Sequence, residues 1–300
     1  MLYDCFTYFN ENELLGIRLH MLAPIVDYFV IVEADHTQRG DYKGFNLDLN
    51  DARIAPYRDQ IKYIQVTDLP AVHGVAQWEI EHYQRNCILR GLTSCHLDDI
   101  IMVSDLDELP DPTLLRNLQK RQVDHLLARG GCRSKIKQWL RLFTLKSSLV
   151  TTKNISDLLE YTPISVEMRL FYYFMNCESY GSWYGTVITK FKNLCVPQTL
   201  RMLNGHLPTV RGGWHFSYLG GVERIKQKVS SIVDDTPAIM AAMEKYESND
   251  AYIRDCLRHG KDFYGRTGQE FQYHFISPDA IGLENIAAIK QAYPTFFQTH

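Results

Sequence analysis

The chain has 300 residues, with 32 Lys and Arg against 35 Asp and Glu, so its formal net charge is −3. This length suffices for one large α/β domain, and the slight negative charge argues against a nucleic-acid-binding protein. The seven cysteines are scattered without a C-x-x-C spacing, which argues for reduced thiols and against a disulfide framework or a zinc site. Without a membrane-length apolar run or a typical signal peptide, the sequence predicts a cytoplasmic protein.

Strands and helices are predicted to alternate along the first third of the chain. The predicted strands are 2–9, 26–35, 61–69 and 98–105, and the predicted helices between them are 12–22 and 77–92. Asn10, with Glu13 three residues later, resembles a capping arrangement for the first helix. Because the strands are apolar throughout, we expect an α/β fold with a mostly parallel central sheet flanked by helices.

The later part of the chain is predicted to add further strands to this sheet. Residues 166–176 and 186–194 have strand character, and a strand in 211–219 leads through Gly220-Gly221 into a helix. Ligands of such sheets bind beyond the carboxyl ends of the strands. The polar residues at these predicted ends are Asn10, Glu11, Glu33, Asp35, Asp105 and Asp107.

The stretch DDIIMVSDLDELPDP, residues 98–112, carries the strongest signal of chemistry. A buried-looking strand ends in four carboxylates, those of Asp105, Asp107, Glu108 and Asp111. Asp111 followed by Pro112 is a good helix start, so its interpretation is structural. For Asp105 and Asp107 we expect a compensating divalent cation, Mg²⁺ or Mn²⁺, because hard oxygen ligands suit these ions.

The neighbours of Asp105 separate the classes of protein that use such a pattern. A calcium-binding EF-hand loop would need glycine where Pro110 stands, and an aspartyl-phosphate phosphatase would need threonine where Leu109 stands. The chain also lacks a G-x-x-x-x-G-K-[ST] phosphate loop. These exclusions favour the D-x-D motif of nucleotide-sugar glycosyltransferases. A metal-dependent nucleotidyltransferase or phosphohydrolase and a non-catalytic carbohydrate-binding protein remain as alternatives.

Residues 120–153 differ in character from the rest of the chain. They contain nine Lys or Arg and one acid, Asp124. The segment KIKQWLRLF within them is able to form an amphipathic helix, which predicts peripheral contact with an anionic membrane. A solvated basic insertion is the alternative.

Five stretches of the chain together resemble glycosyltransferase family 17. They are YDCFTYFNENELLGIRL, VDYFVIVEAD, WEIEHYQRNCILRGL, DDIIMVSDLDELPDP and GWHFSYLGG, and they follow one another between residue 3 and about residue 229. The resemblance implies a GT-A fold, a UDP-sugar donor, a divalent metal, inversion at the anomeric carbon, and β-linked transfer of N-acetylglucosamine to a glycan acceptor. We expect one domain, with a nucleotide-sugar-binding half (1–118), a basic insertion (119–160) and an acceptor-side half (161–300).

The same resemblance suggests roles for individual residues. Asp107 is expected in the catalytic centre, and the metal ligands are expected to be Asp105, Asp107 and His215. Candidates for the general base are Glu223 first, then Glu167 and Glu178. The expected donor-binding residues are Asn10, Glu11, Glu33, Arg85, Asp105, Glu108, Gly220 and Gly221, and the expected acceptor-binding residues are Trp183, Tyr184 and Trp214.

Structural alternatives stay open for several of these residues. Arg85 is spaced for an ion pair with Glu81 along a helix, and the glycine pair is suited to a simple tight turn. The aromatic residues fit an ordinary core, and His215 fits a packed structural position.

Overall fold

The computed structural model describes residues 1–70, 78–119, 155–231 and 250–298. The basic segment 120–153, and with it the predicted membrane contact, lies outside the described residues. Within the described ranges, no helix combines the length and the apolar character needed to cross a bilayer.

Nine strands and eight α-helices are described. The strands are β1 (Leu2–Thr7), β2 (Tyr28–Ala34), β3 (Ile61–Val66), β4 (Ile100–Asp105), β5 (Glu108–Leu109), β6 (Ile164–Tyr172), β7 (Cys177–Lys190), β8 (Thr209–Ser217) and β9 (Tyr273–Phe275). The helices are α1 (Asn12–Leu22), α2 (Glu79–Asn86), α3 (Pro112–Gln119), α4 (Ile155–Leu158), α5 (Pro197–Arg201), α6 (Gly221–Ser231), α7 (Asp250–His259) and α8 (Ile286–Ala292).

All nine strands belong to one mixed sheet with the order β3-β2-β1-β4-β7-β6-β8-β5, and β9 pairs with β7. The first four strands in this order are parallel to one another. The sheet then changes direction, because β7 pairs antiparallel with β4 and with β6. The short strand β5 closes the far edge by pairing antiparallel with β8. The predicted α/β class is confirmed.

The central parallel strands β1, β2 and β4 are mainly apolar because both faces of the sheet are covered there. Alternate side chains of a strand point to opposite faces, and in β4 Met102 packs in one hydrophobic cluster while Ile101 and Val103 pack in another. The first cluster contains most of α1, and the second contains Ile88 and Leu92, which follow α2.

Most of the predicted elements are confirmed with shifts at their ends, and the largest shift is in β7, which begins at Cys177 instead of at residue 186. Helix α1 has the predicted bounds, and Asp111 precedes α3, its carboxylate accepting a hydrogen bond from the Thr113 amide at 2.7 Å. The predicted capping by Asn10 and Glu13 is wrong: Glu11 is the N-cap residue of α1 and makes no side-chain capping bond. Instead, the Glu13 carboxylate accepts hydrogen bonds from Arg224 at 3.0 and 3.2 Å.

A fully buried arginine joins α1 to the sheet. Arg18 has no exposed surface, and its guanidinium donates to both Asp4 carboxylate oxygens, at 2.6 and 2.8 Å. It also donates to the Ser104 hydroxyl at 2.6 Å and to the carbonyls of residues 105, 106 and 108 at 2.6–3.0 Å. This bidentate ion pair offsets the cost of burying both charges, and the remaining donors fix the backbone that follows β4.

We predict that Arg18→Met lowers the free energy of unfolding by about 3–5 kcal/mol, because Asp4 would keep a buried charge without its partner. Urea denaturation measures this change. The matched control is Arg90→Met, which removes an ion pair with Asp68 in which both side chains are exposed, so its effect should be much smaller. Equal losses in the two variants would contradict a structural role for the Arg18 cluster.

Candidate active site

The acidic turn, residues 105–108, lies where β4 ends between the two layers of helices. Ser104 faces Arg18 on the side of α1, and Asp105, the next residue, faces the opposite layer, as strand alternation requires. The chain then turns through Leu106 and Asp107 and continues as β5, in which Glu108 pairs with His215 of β8. This pairing brings β8 next to the end of β4.

Two arginines bind the Asp105 carboxylate. Arg85 of α2 donates to Oδ1 and Arg201 of α5 donates to Oδ2, each at 2.8 Å. The predicted ion pair of Arg85 with Glu81 is also present, at 2.6 Å. Because both oxygens of Asp105 are already bound by guanidinium groups, the arrangement favours Asp105 as an anchor for these arginines over the predicted role of direct metal ligand.

The Asp107 carboxylate has a different environment. The Lys228 ammonium of α6 donates to Oδ2 at 2.8 Å, and Nε2 of His215 lies 3.4 Å from Oδ1. The His215 ring is buried and packs on the Trp183 indole, with the ring centroids 4.5 Å apart. Its Nδ1 has no hydrogen-bond partner among the described residues. Asp107 and His215 are thus the predicted metal-binding residues that the structure brings face to face.

The surrounding cations determine the charge state of both aspartates. Burial alone would raise the pKa of Asp105, but the charges of Arg201 and Arg85 outweigh it and hold the pKa well below the ordinary value. Burial would also raise the pKa of Asp107, but the charges of Lys228 and His215 outweigh burial and lower the pKa. Both carboxylates are therefore ionised at neutral pH.

Glu108 is fully buried and connects the turn to β7. Its carboxylate accepts hydrogen bonds from the Trp183 indole at 2.6 Å and from the Arg201 guanidinium. Gly185 makes room for this carboxylate, because a Cβ atom at position 185 would overlap it. The Gly185 carbonyl in turn accepts a hydrogen bond from Arg201. Glu108 is thus a packed, ion-paired residue that positions Trp183 and Arg201.

A cavity of about 220 Å³ opens beside Asp107. Asn10 and Glu11, which follow β1, line one side, and Gly220 and Lys228 line another. The backbone at Gly220 and Gly221 is left-handed, with φ of +103° and +81°, which favours glycine at the start of α6. A Cβ atom at position 220 would also crowd the Arg224 side chain. Three of the predicted donor-binding residues, Asn10, Glu11 and Gly220, thus line the cavity. A fourth, Gly221, is the first residue of α6.

Other predicted site residues have structural partners. Glu33 is fully buried, and its carboxylate accepts hydrogen bonds from Lys43, Tyr63 and the amides of residues 46 and 47 at 2.6–3.1 Å. These bonds occupy both oxygens, so the structure favours a role in holding the loop after β2 over the predicted donor contact. Trp214, predicted to bind acceptor, is a core residue whose indole donates to the Ile281 carbonyl at 2.8 Å.

The predicted bases and the remaining aromatic residue lie apart from the cavity lining. Glu223, on the first turn of α6, has a side chain that is 82% exposed. Glu167 is buried and accepts a hydrogen bond from the Ser182 hydroxyl at 2.7 Å. Glu178 is bound to Arg169 at 2.6 Å. Tyr184 pairs with Glu167 across β6 and β7.

Three cations of the site, Arg18, Arg201 and Lys228, are not predicted from the sequence. Arg18 had a detectable signal, since it lies on a helix between Ile17 and Leu19 and most of the neighbouring positions are apolar. Lys228 follows Arg224 by one helical turn, and both line the cavity. Nothing in the local sequence around Arg201 distinguishes it from a surface residue.

Comparison with known proteins finds similarity to glycosyltransferases. The family model described as glycosyltransferase family 17 matches residues 1–128, which confirms the resemblance inferred from the sequence. Two similar curated relatives are the β-1,4-mannosyl-glycoprotein 4-β-N-acetylglucosaminyltransferases of Homo sapiens and Rattus norvegicus, each 26% identical over 107 residues. That match covers 34% of this chain and 20% of each relative, so the chain aligns with about a fifth of their length.

Two solved structures show a weak overall similarity. One is the glucosyl-3-phosphoglycerate synthase from Mycobacterium tuberculosis in complex with Mn²⁺, UDP and phosphoglyceric acid, with 12% identity, a TM-score of 0.31 and coverage of 92% of this chain and 86% of that one. The other is galactosyltransferase LgtC with donor and acceptor sugar analogues, with 12% identity, a TM-score of 0.29 and coverage of 100% and 97%.

We predict that Gly185→Ala displaces the Glu108 carboxylate and destabilises the protein by about 1–3 kcal/mol, because the added methyl group overpacks a filled site. Thermal or urea unfolding measures the loss. In a Glu108→Ala background the same glycine substitution should cost clearly less, because its clash partner is gone. Strict additivity of the two substitutions would show that Gly185 is required for another reason.

Proposed function

We propose that the chain is a metal-dependent, inverting glycosyltransferase of GT-A type, which transfers N-acetylglucosamine from UDP-N-acetylglucosamine to a glycan acceptor in β linkage. The observation that supports this most is the pairing of Asp107 with His215 beside a cavity at the end of β4, within a site whose acidic turn belongs to the family 17 match. The relatives named for N-acetylglucosamine transfer support the choice of sugar.

The residues of the site fit a divalent metal bound together with a diphosphate. Groups of three or more His, Cys, Asp or Glu arranged for a metal are absent from the described residues. Mg²⁺ and similar ions, however, bind through one or two protein ligands plus substrate phosphates. Asp107 offers a carboxylate, and His215 offers Nε2 if its proton lies on Nδ1, which suits Mn²⁺. A metal held there would neutralise the charge that develops on the departing diphosphate.

The other residues of the site would position the donor. Arg85 and Arg201, fixed by Asp105, keep positive charge near the end of β4 without competing for Asp107. Lys228 and Gly220 line the cavity on the side of α6, where a phosphate would meet an ammonium group and backbone amides. Trp183, held in place by Glu108, offers an aromatic face for a sugar.

We predict that Asp107→Asn abolishes the Mn²⁺-dependent part of UDP-N-acetylglucosamine binding, measured by calorimetry with Mn²⁺ and with EDTA. Loss of a direct ligand should weaken metal affinity by more than the roughly 10–100-fold typical of outer-shell partners. Asp98→Asn, which changes an acid that is 74% exposed before the start of β4, is the matched control and should behave as wild type.

The product of the wild-type reaction tests the function itself. Release of UDP together with a β-linked product supports the proposal. Release of phosphate or pyrophosphate would favour the nucleotidyltransferase or phosphohydrolase alternative, and metal-independent glycan binding without turnover would favour a carbohydrate-binding protein.

We propose Glu223 as the general base, because its exposed carboxylate on α6 is able to approach an acceptor, whereas Glu167 is buried and hydrogen-bonded. Glu223→Gln should lower kcat by about 10²–10⁴-fold while UDP-N-acetylglucosamine affinity stays unchanged. Glu167→Gln is the comparison. If Glu167→Gln loses kcat and Glu223→Gln keeps it, the assignment is reversed.

A further inference from the structure

The cations around the acidic turn are not equivalent. Arg85 and Arg201 are 4% and 7% exposed, and each contacts three groups of the protein. The Lys228 side chain is 28% exposed and lines the cavity, and within the described part of the chain the Asp107 carboxylate is the one hydrogen-bond acceptor that its ammonium contacts. Among these three cations, Lys228 is therefore the one that is able to move away from its aspartate with the least rearrangement of the protein.

The ammonium of Lys228 also lies near an aromatic ring while it binds Asp107. Its Nζ lies 5.2 Å from the centre of the Tyr218 ring, which lines the same cavity. An ammonium group near an aromatic face is stabilised by a cation–π interaction. A lysine has rotatable bonds along its whole stem, so the ammonium is able to move from Asp107 into the cavity while Tyr218 continues to stabilise it.

Asp107 shows where a second cation would bind. Its Oδ2 contacts Lys228 while its Oδ1 faces Nε2 of His215, whose side chain is 9% exposed. The buried imidazole nitrogen that faces the carboxylate is an independent indication of a cation site. A divalent ion held by Asp107 and His215 would repel the Lys228 ammonium, since both carry positive charge within a few ångströms.

We propose that Lys228 is an exchangeable counter-ion of Asp107: it neutralises the carboxylate in the free protein, is displaced by the divalent cation, and then binds the phosphate groups of the donor. This inference rests on the proposed function for the identity of the anion. It makes Lys228 a positioning and anion-binding residue that couples metal binding to diphosphate binding, since the ammonium released by one is available to the other.

The test measures Mn²⁺ binding and UDP binding separately in Lys228→Met. With Mn²⁺ alone, the variant should bind the ion about tenfold more tightly than wild type, because its competitor is gone. At saturating Mn²⁺ the same variant should bind UDP more weakly. Electron paramagnetic resonance of free Mn²⁺ and calorimetry with UDP give the two constants, and opposite signs are not expected from a merely structural lysine.

Two control variants keep the result interpretable. Lys228→Arg retains the positive charge and should keep Mn²⁺ affinity near that of wild type, even if Lys228→Met is less stable. Lys226→Met removes another lysine of α6, which pairs with Asp250 and Glu223, and should change neither constant. Equal or weaker Mn²⁺ binding in Lys228→Met, or unchanged UDP affinity, would overturn the inference.

The result of this test on Lys228 is distinguishable from the result of the test of the proposed function. If Lys228→Met gains Mn²⁺ affinity and loses UDP affinity while the wild type transfers no sugar, the exchange at Asp107 stands and the proposed reaction fails. If the wild type transfers sugar but the two affinities do not change in opposite directions, the proposed function stands and the role of Lys228 is rejected.

Discussion

The geometry of the acidic turn depends on one buried guanidinium, that of Arg18. Its ion pair with Asp4 holds it in place, and its remaining donors fix the carbonyl groups of residues 105, 106 and 108 in the turn at the end of β4. With the backbone held in this way, the two aspartates leave it in different directions. Asp105 points to the arginines of α2 and α5, and Asp107 points to the cavity beside α6.

The negative charge of the acidic turn is compensated by cations from several parts of the chain. Carboxylates this close together need compensating positive charge, and the protein supplies it through Arg85, Arg201 and Lys228. The two aspartates therefore have separate tasks. Asp105 is held permanently by buried arginines, which stabilises the turn. Asp107 is balanced by Lys228, which is more exposed than the two arginines.

The fold and part of the site followed from local sequence patterns. Apolar runs predicted the parallel strands, and the pair Asp111-Pro112 predicted the start of α3. The positions of Arg201 and Lys228 did not follow, because they depend on the pairing of β7 and β8 with β4 and β5, which no local pattern specifies. Trp214 illustrates the same limit: it neighbours His215 in β8, so strand alternation points it into the core instead of the site.

The boundary of the family match does not coincide with a boundary of the site. Residues 1–128 contain Asp105, Asp107, Glu108 and Arg85, whereas Arg201, His215 and Lys228 lie beyond that range. The pairing of β5 with β8 joins the two parts within a single sheet. The matched region is consequently not an interchangeable module. Grafting a different C-terminal half onto it would replace the histidine and the lysine that face Asp107, so the charge balance of the acidic turn would change with the graft.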